Sequence, residues 1–382
     1  MRNGNLITWI AAIFVTVTQT YDVPAGDWQE FPIYLTSDDQ YAPDIYGNVI
    51  VWEQFVEEDF DIYGADITDY LNPFVFVIDG DTDHQLAPSI YENTVVWQCY
   101  METDWDVWAA DISNQNVPQY YPVSEYVDVN EIAPAVHGNI VVWQDDYLGD
   151  WDVLGADITD PNNPAEFFIA TYDYNQCAPA LSRNTVVWQD DFFDDWDLFA
   201  ADIWQRNKPA EIAVSLVEYD QRKPAICGNT IVWQDDFFGD WDIYAADISD
   251  PCNPVELAIT TDISWQINPD IDRNIIVWQD DRNGNWDIYG YNLTTRQEFQ
   301  ITNNPADQEN PAISGNVVVW EDNRNERWNI YAVILDGPEV AKCKSWIHGD
   351  TNGDCTVNLA DFAAIAGSWL KCNLEPKEAC WQ

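Results

Sequence analysis

A stretch of about 45 residues recurs seven times along this 382-residue chain. No other feature limits the possible fold as tightly. Its clearest copy runs from Asn229 to Ile248, NTIVWQDDFFGDWDIYAADI. The anchor is a Trp that follows two or three aliphatic residues: Trp52, Trp97, Trp143, Trp188, Trp233, Trp278 and Trp320, at intervals of 45, 46, 45, 45, 45 and 42 residues. Eight residues later stands a second aromatic: Phe60, Trp105, Trp151, Trp196, Trp241, Trp286 and Trp328. Thirteen of the 21 Trp belong to these two columns, which reads as core rather than ligand platform. A fixed period of this size means stacked supersecondary units, and it suits a four-stranded propeller blade.

Within each unit four strands are legible. A short first strand follows a Pro, as in APAV from Ala133 or NPAI from Asn310. The anchor strand is next, and its unbroken aliphatic run is what burial on both faces requires. A third strand of the WDIYAADI type and a fourth such as ELAITT from Glu256 complete the unit. The ends of the array carry the topological clue. An orphan fourth strand, EFPIYLT from Glu30 to Thr36, precedes the first unit, and the last unit lacks one after WNIYAVIL. Pairing Phe31–Leu35 with Asn329–Ile334 closes a ring and removes the exposed edges that an open solenoid would leave. The fold class expected is therefore all-β, a closed seven-bladed β-propeller over residues 21–337, with a small C-terminal module of loop and helix over residues 338–382.

The pattern around blade six, Asn274-Ile-Ile-Val-Trp278, Asp280, Arg282-Asn-Gly-Asn285 and Trp286-Asp-Ile-Tyr289, resembles TolB-like propeller repeats. That resemblance covers about Asp27 to Leu335 and implies a closed propeller with a binding or scaffolding role. The chain departs from it where Phe-Phe or Tyr-Leu replaces the Arg-x-Gly hairpin.

Charge narrows the partners. There are 67 Asp and Glu against 15 Lys and Arg, net −52. From Arg2 to Arg183 no basic residue intervenes, while Asp22 to Asp173 supply 32 acids. Such a surface repels nucleic acid and anionic membrane, and it suits either a saline habitat or an ion-binding face. Residues 1–20, MRNGNLITWIAAIFVTVTQT, have the outline of a secretory signal, with an apolar run too short for a comfortable span. A secreted or cell-surface, bacterial extracellular, monomeric propeller without a transmembrane segment is expected. Eight Cys are then free to pair. Cys99, Cys177, Cys227 and Cys252 occupy no equivalent repeat positions. Cys343, Cys355, Cys372 and Cys380 crowd the tail, where two bridges in any of three pairings are expected.

The tail also has the ligand order of a calcium loop. Asp350, Asn352, Asp354, Asn358 and Asp361 stand at positions one, three, five, nine and twelve, with the Thr356 carbonyl at seven, and an apolar helical face from Phe362 to Leu370 follows. The stretch resembles a dockerin half-repeat. This implies Ca2+ as cofactor and docking to a cohesin-like partner, often in polysaccharide degradation. It departs in having Cys355 at position six and in lacking the second half-repeat.

In the propeller, Asn283-Gly284 fits a two-residue turn that sets Arg282 opposite Asn285 and Asp280 opposite Asp287. The same register opposes Asp145 with Asp152, Asp190 with Asp197, and Asp235 with Asp242. Like charges so placed need backbone donors, a shared proton or a cation. His84 and His137 lie in no metal-ligand spacing and read as loop residues. No catalytic residue can be assigned. Two functions follow: non-catalytic recognition of a protein or carbohydrate on the face carrying the acidic loops, or a carbohydrate-active enzyme, a polysaccharide lyase or glycoside hydrolase, on the same scaffold.

Overall fold

The computed structural model describes residues 28–335, apart from 102, 194 and 207. They form seven four-stranded antiparallel sheets around a central channel. Blade 3 is representative: an inner strand Glu131–His137, a second Ile140–Asp145, a third Asp152–Asp157 and an outer Ala165–Ala170. The seventh blade is sewn from both ends of the array. Glu30–Pro32 pairs antiparallel with Asn329–Ile334, setting Phe31 opposite Ala332, and the Ile33 N–H continues the ladder to Ile330 O at 2.9 Å. The ring is closed as the repeat arithmetic requires. The signal-like residues 1–20, the four tail cysteines and the calcium-loop residues Asp350, Asn352, Asp354, Thr356, Asn358 and Asp361 lie outside the described residues.

Each anchor Trp is fully buried, with the aliphatic residues before it. They fill the space between neighbouring blades; Trp233 of blade 5, for example, packs with Val187, Leu198 and Val214 of blade 4. The second aromatic column differs from the core reading. Trp151, Trp196, Trp241, Trp286 and Trp328 are only half-buried, because they sit where the hairpin leaves the sheet.

Three other expectations are corrected. First, the inner strand does not begin after its Pro; it runs through it. Each X-Pro is a bulge, with a register shift such as that between Ile132 and Ala135. The residue before Pro is left-handed in every blade: Ala42, Ala87, Ala133, Ala178, Lys223, Asn268 and Asn310 have φ between 47° and 55°. Second, the two-residue turn does not occur in blade 6. The ladder stops at Asp280 opposite Asp287, and Gly284 N–H closes a turn onto Asp281 O at 2.9 Å. Asp281 is drawn off the ladder because its carboxylate accepts Trp265 N–H of the preceding linker at 2.8 Å. The longer pairing exists in blade 1, where Val56 faces Asp59, and in blade 2, where Met101 faces Asp104. Third, both histidines are strand residues. His84 opens the inner strand of blade 2. His137 ends that of blade 3 and packs against Tyr91, with ring centroids 4.0 Å apart and the planes tilted by 39°. Burial, and then the Arg183 charge, hold its imidazole down at about 4.

Candidate functional site

The seven X-Pro bulges line the channel and enclose a cavity of about 500 Å³. A left-handed non-Gly residue costs about 1–3 kcal/mol and persists only when its surroundings enforce it. Here the enforcing contact is the same at every joint. The bulged N–H donates to the side chain that follows the preceding blade's anchor Trp: Ala42 to Glu321 (2.7 Å), Ala87 to Glu53 (3.0 Å), Ala133 to Gln98 (2.9 Å), Ala178 to Gln144 (2.7 Å), Lys223 to Gln189 (3.0 Å), Asn268 to Gln234 (3.0 Å) and Asn310 to Gln279 (2.8 Å). Seven side chains thus brace seven bulges around the ring. Replacing Gln189 by Leu should strand the Lys223 N–H and cost about 1–3 kcal/mol in denaturant unfolding. Gln189→Glu keeps the acceptor, as Glu53 and Glu321 do, and should cost much less.

The channel wall is not uniform. Four alanines form one arc, and Lys223, Asn268 and Asn310 form the other. On the polar arc Asn268 Nδ2 donates to Asn310 Oδ1 at 2.7 Å, and Asn310 Nδ2 to Glu321 Oε1 at 2.8 Å. Burial raises the Glu321 carboxyl to about 7. Asp44 and Asp270 each accept two backbone N–H groups, including Ile90 and Ile313 of the following blades, at 2.8 Å. Burial, opposed by those bonds and helped by the Asp44 charge, takes Asp270 to about 7.

The face bearing the hairpins between strands two and three also receives the linkers between blades, because Gln221 at the start of one strand is register partner to Asp235 at the end of the next. On blades 3, 4 and 5 this face repeats one arrangement. A linker Tyr meets a hairpin aromatic: Tyr126 with Tyr147 at 5.9 Å, Tyr174 with Phe192 at 4.9 Å, and Tyr219 with Phe237 at 5.6 Å. The next hairpin position, Leu148, Phe193 or Phe238, is more than half exposed. The result is a crescent of exposed aromatic and aliphatic side chains on three successive blades. The Trp count could not reveal it, since the Trp columns are structural. The available signal was the Phe-Phe and Tyr-Leu departure from the Arg-x-Gly hairpin.

Where the crescent ends, arginine takes over the same hairpin position. Arg282 bonds Asp280 through Nε (2.9 Å) and Nη2 (2.5 Å), reaches Glu298 at 2.7 Å and lies 4.3 Å from the Tyr289 ring centroid. Arg324 repeats this with Asp322, Glu30 and Tyr331 in blade 7.

The opposed aspartates are real register pairs in blades 3 to 6. The member on strand two accepts a loop N–H of its own hairpin, as Asp235 does from Phe237 at 2.9 Å and Asp145 from Tyr147 at 3.1 Å. The member on strand three is raised by burial first and then by neighbouring acids: Asp152 and Asp197 to about 7, Asp242 to about 8. Among the described residues Cys99, Cys177, Cys227 and Cys252 are unpaired thiols, and no helix is long and apolar enough to cross a membrane.

No protein-family model matches the sequence, and no curated protein sequence does. Solved structures do. An oligogalacturonate lyase from Vibrio parahaemolyticus has a TM-score of 0.58 at 12% identity, covering 84% of this chain and 97% of that one. A puromycin-hydrolyzing peptidase from Mycobacterium tuberculosis has a TM-score of 0.57 at 13% identity over 84% of this chain, and the match spans only 57% of the peptidase. A putative TolB from Agrobacterium tumefaciens has a TM-score of 0.47 at 9% identity over 69% of this chain and 95% of that one, too weak a likeness to build on. At these identities what is shared is the propeller fold.

Proposed function

We propose that the protein is a non-catalytic recognition module of TolB-like type, whose hairpin face binds a neutral polysaccharide. The single observation behind this reading is the aromatic crescent of blades 3 to 5. Rigid aromatic faces supply contact area at low entropic cost, and a repeat of three such platforms matches a ligand that itself repeats. The acidic surroundings disfavour polyanions. On this reading the chain is exported, residues 1–20 are its signal, and the tail over residues 338–382 holds Ca2+ through Asp350, Asn352, Asp354, Thr356, Asn358 and Asp361. The tail then tethers the propeller to a cohesin-like or other cell-surface protein. Affinity electrophoresis against neutral and acidic polysaccharides, with and without calcium, tests the propeller part. Phe238→Ala should weaken binding of a neutral chain on the order of tenfold, about 1.4 kcal/mol. Equal retardation of the variant and the wild type would remove the crescent from consideration.

A second reading, a carbohydrate-active enzyme, draws on the Glu321 carboxyl, buried behind the polar arc of the channel wall and raised to about 7 by burial first, with the Glu309 and Glu53 charges adding. The oligogalacturonate lyase named above is an enzyme on the same kind of scaffold. Release of new reducing ends from any polysaccharide, lost in Glu321→Gln, would favour it.

A further inference from the structure

Blade 6 contains an internal control for the hairpins of blades 3 and 5. In blade 6 the amide Nδ2 of Asn285 sits among four oxygens: Trp286 O (3.2 Å), Asp287 Oδ1 (3.3 Å), Asn304 O (3.0 Å) and Ala306 O (2.9 Å). Asp287 also accepts from Asn283 at 2.8 Å and from Gln300 at 3.2 Å. Every oxygen that converges there meets an N–H.

The hairpins of blades 3 and 5 have the same length and register, but each donor is gone. Leu148 and Phe238 replace Asn283. By register Phe168 and Ala258 replace Gln300. Asp150 and Asp240 replace Asn285, so a carboxylate stands where blade 6 has its amide. Asp152 and Asp242 are each 1% exposed, and neither oxygen of either side chain has a hydrogen-bond partner. An unpaired buried carboxylate costs several kcal/mol. Blade 4 differs at the first of these positions, where Asp195 Oδ2 accepts Tyr219 N–H at 2.9 Å, although Asp197 Oδ2 is also without a partner.

We propose that the hairpins of blades 3 and 5 each bind one calcium-type divalent cation, through Asp150 and Asp152 and through Asp240 and Asp242. The ion takes the place that the Asn285 amide fills in blade 6. Among the described residues no three acidic, His or Cys side chains converge on one point. The remaining ligands are accordingly carbonyl oxygens: the linker positions equivalent to Asn304 and Ala306 are Tyr172 and Tyr174 in blade 3, and Asp262 and Ser264 in blade 5. A hard cation accepts such a mixed set of six to eight oxygens, waters included. Neighbouring charges agree, since Asp150 and Asp145 act on Asp152, while Asp240, Asp235 and Asp262 act on Asp242.

The test counts Ca2+ bound per full-length chain by equilibrium dialysis, alongside thermal unfolding in calcium and in EDTA. Asp150→Asn and Asp240→Asn reinstate the blade 6 amide. Each should lower the count by one, and the double variant should lower it by two, melt higher than wild type in EDTA and respond less to calcium. Asp350→Ala in the tail should leave these two ions in place. Phe238→Asn restores a second blade 6 donor, that of Asn283, and should also weaken the blade 5 ion. A double variant that binds as much calcium as wild type overturns the proposal, as does a propeller whose whole calcium response vanishes with Asp350→Ala. A wild type whose buried aspartates take up protons but no calcium overturns it too.

Discussion

Deleting residues 28–36 should lower the thermal midpoint of the propeller by roughly 10–20 °C. Phe31 and Ile33 are buried among Ile45, Trp52, Val319, Ile330 and Ala332, on both sides of the seam between blades 7 and 1. Exposing two such side chains costs about 3–6 kcal/mol, and a repeat domain of this size loses roughly 2–4 °C per kcal/mol. The Glu30–Arg324 ion pair at 2.6 Å is lost with them. Two further results are expected. The bared edge of Asn329–Ile334 should make the truncated protein associate, because an unpaired edge recruits strands. A synthetic peptide of residues 28–36, added in excess, should restore the midpoint. An unchanged melting curve after the deletion would mean that closure contributes nothing to stability.

Between about pH 5 and pH 8, in the absence of divalent cations, the protein should become less stable as pH rises. The sign follows from the buried acids. Asp106, Asp152 and Asp197 have carboxyls raised to about 7, and Glu131 and Asp242 to about 8, with burial the first cause in every case. A raised folded-state value means the folded protein holds more protons than the unfolded chain between the unfolded value near 4 and the folded one. Stability is therefore fully present below pH 4 for these groups, falls as pH rises above that, and levels off once the folded values of about 7 to 8 are passed. Each tenfold gain in proton affinity on folding corresponds to about 1.4 kcal/mol, so several buried groups together outweigh the opposite contribution of His137, which loses stability as pH falls toward 4. Denaturant titrations at pH 5, 6, 7 and 8 in EDTA measure the slope. A midpoint that rises with pH would show that these carboxylates are ionised at no cost in the folded state.

The sequence and the structure agree most closely where periodicity carries the information. Blade number, the buried anchor Trp and the orphan strand that closes the ring all follow from spacing and from which faces are apolar. Register was legible in part: Asp280 does face Asp287, although the Asn283-Gly284 turn that predicts this pairing is absent and Arg282 does not face Asn285. What spacing could not convey was local hydrogen bonding. The X-Pro bulge looks like a strand start because Pro usually ends pairing, yet here a neighbouring blade's Gln or Glu supplies the missing acceptor. The hairpin of blade 6 looks like an Asn-Gly turn, but Asp281 has a stronger use in binding the Trp265 N–H. The crescent was hidden because Tyr147, Phe192 and Phe237 lie in the same columns as Arg282 and Arg324, and only three-dimensional pairing with the linker tyrosines marks them as a surface.

The brace around the channel gives the ring a direction. At every joint the acceptor belongs to one blade and the donor to the next, and the bond is not returned. Through this bond each blade shapes the inner strand of its successor and not that of its predecessor. Damage to one anchor strand should accordingly loosen the blade downstream before the one upstream, so local opening in this closed circle has a handedness even though its seven parts are nearly alike.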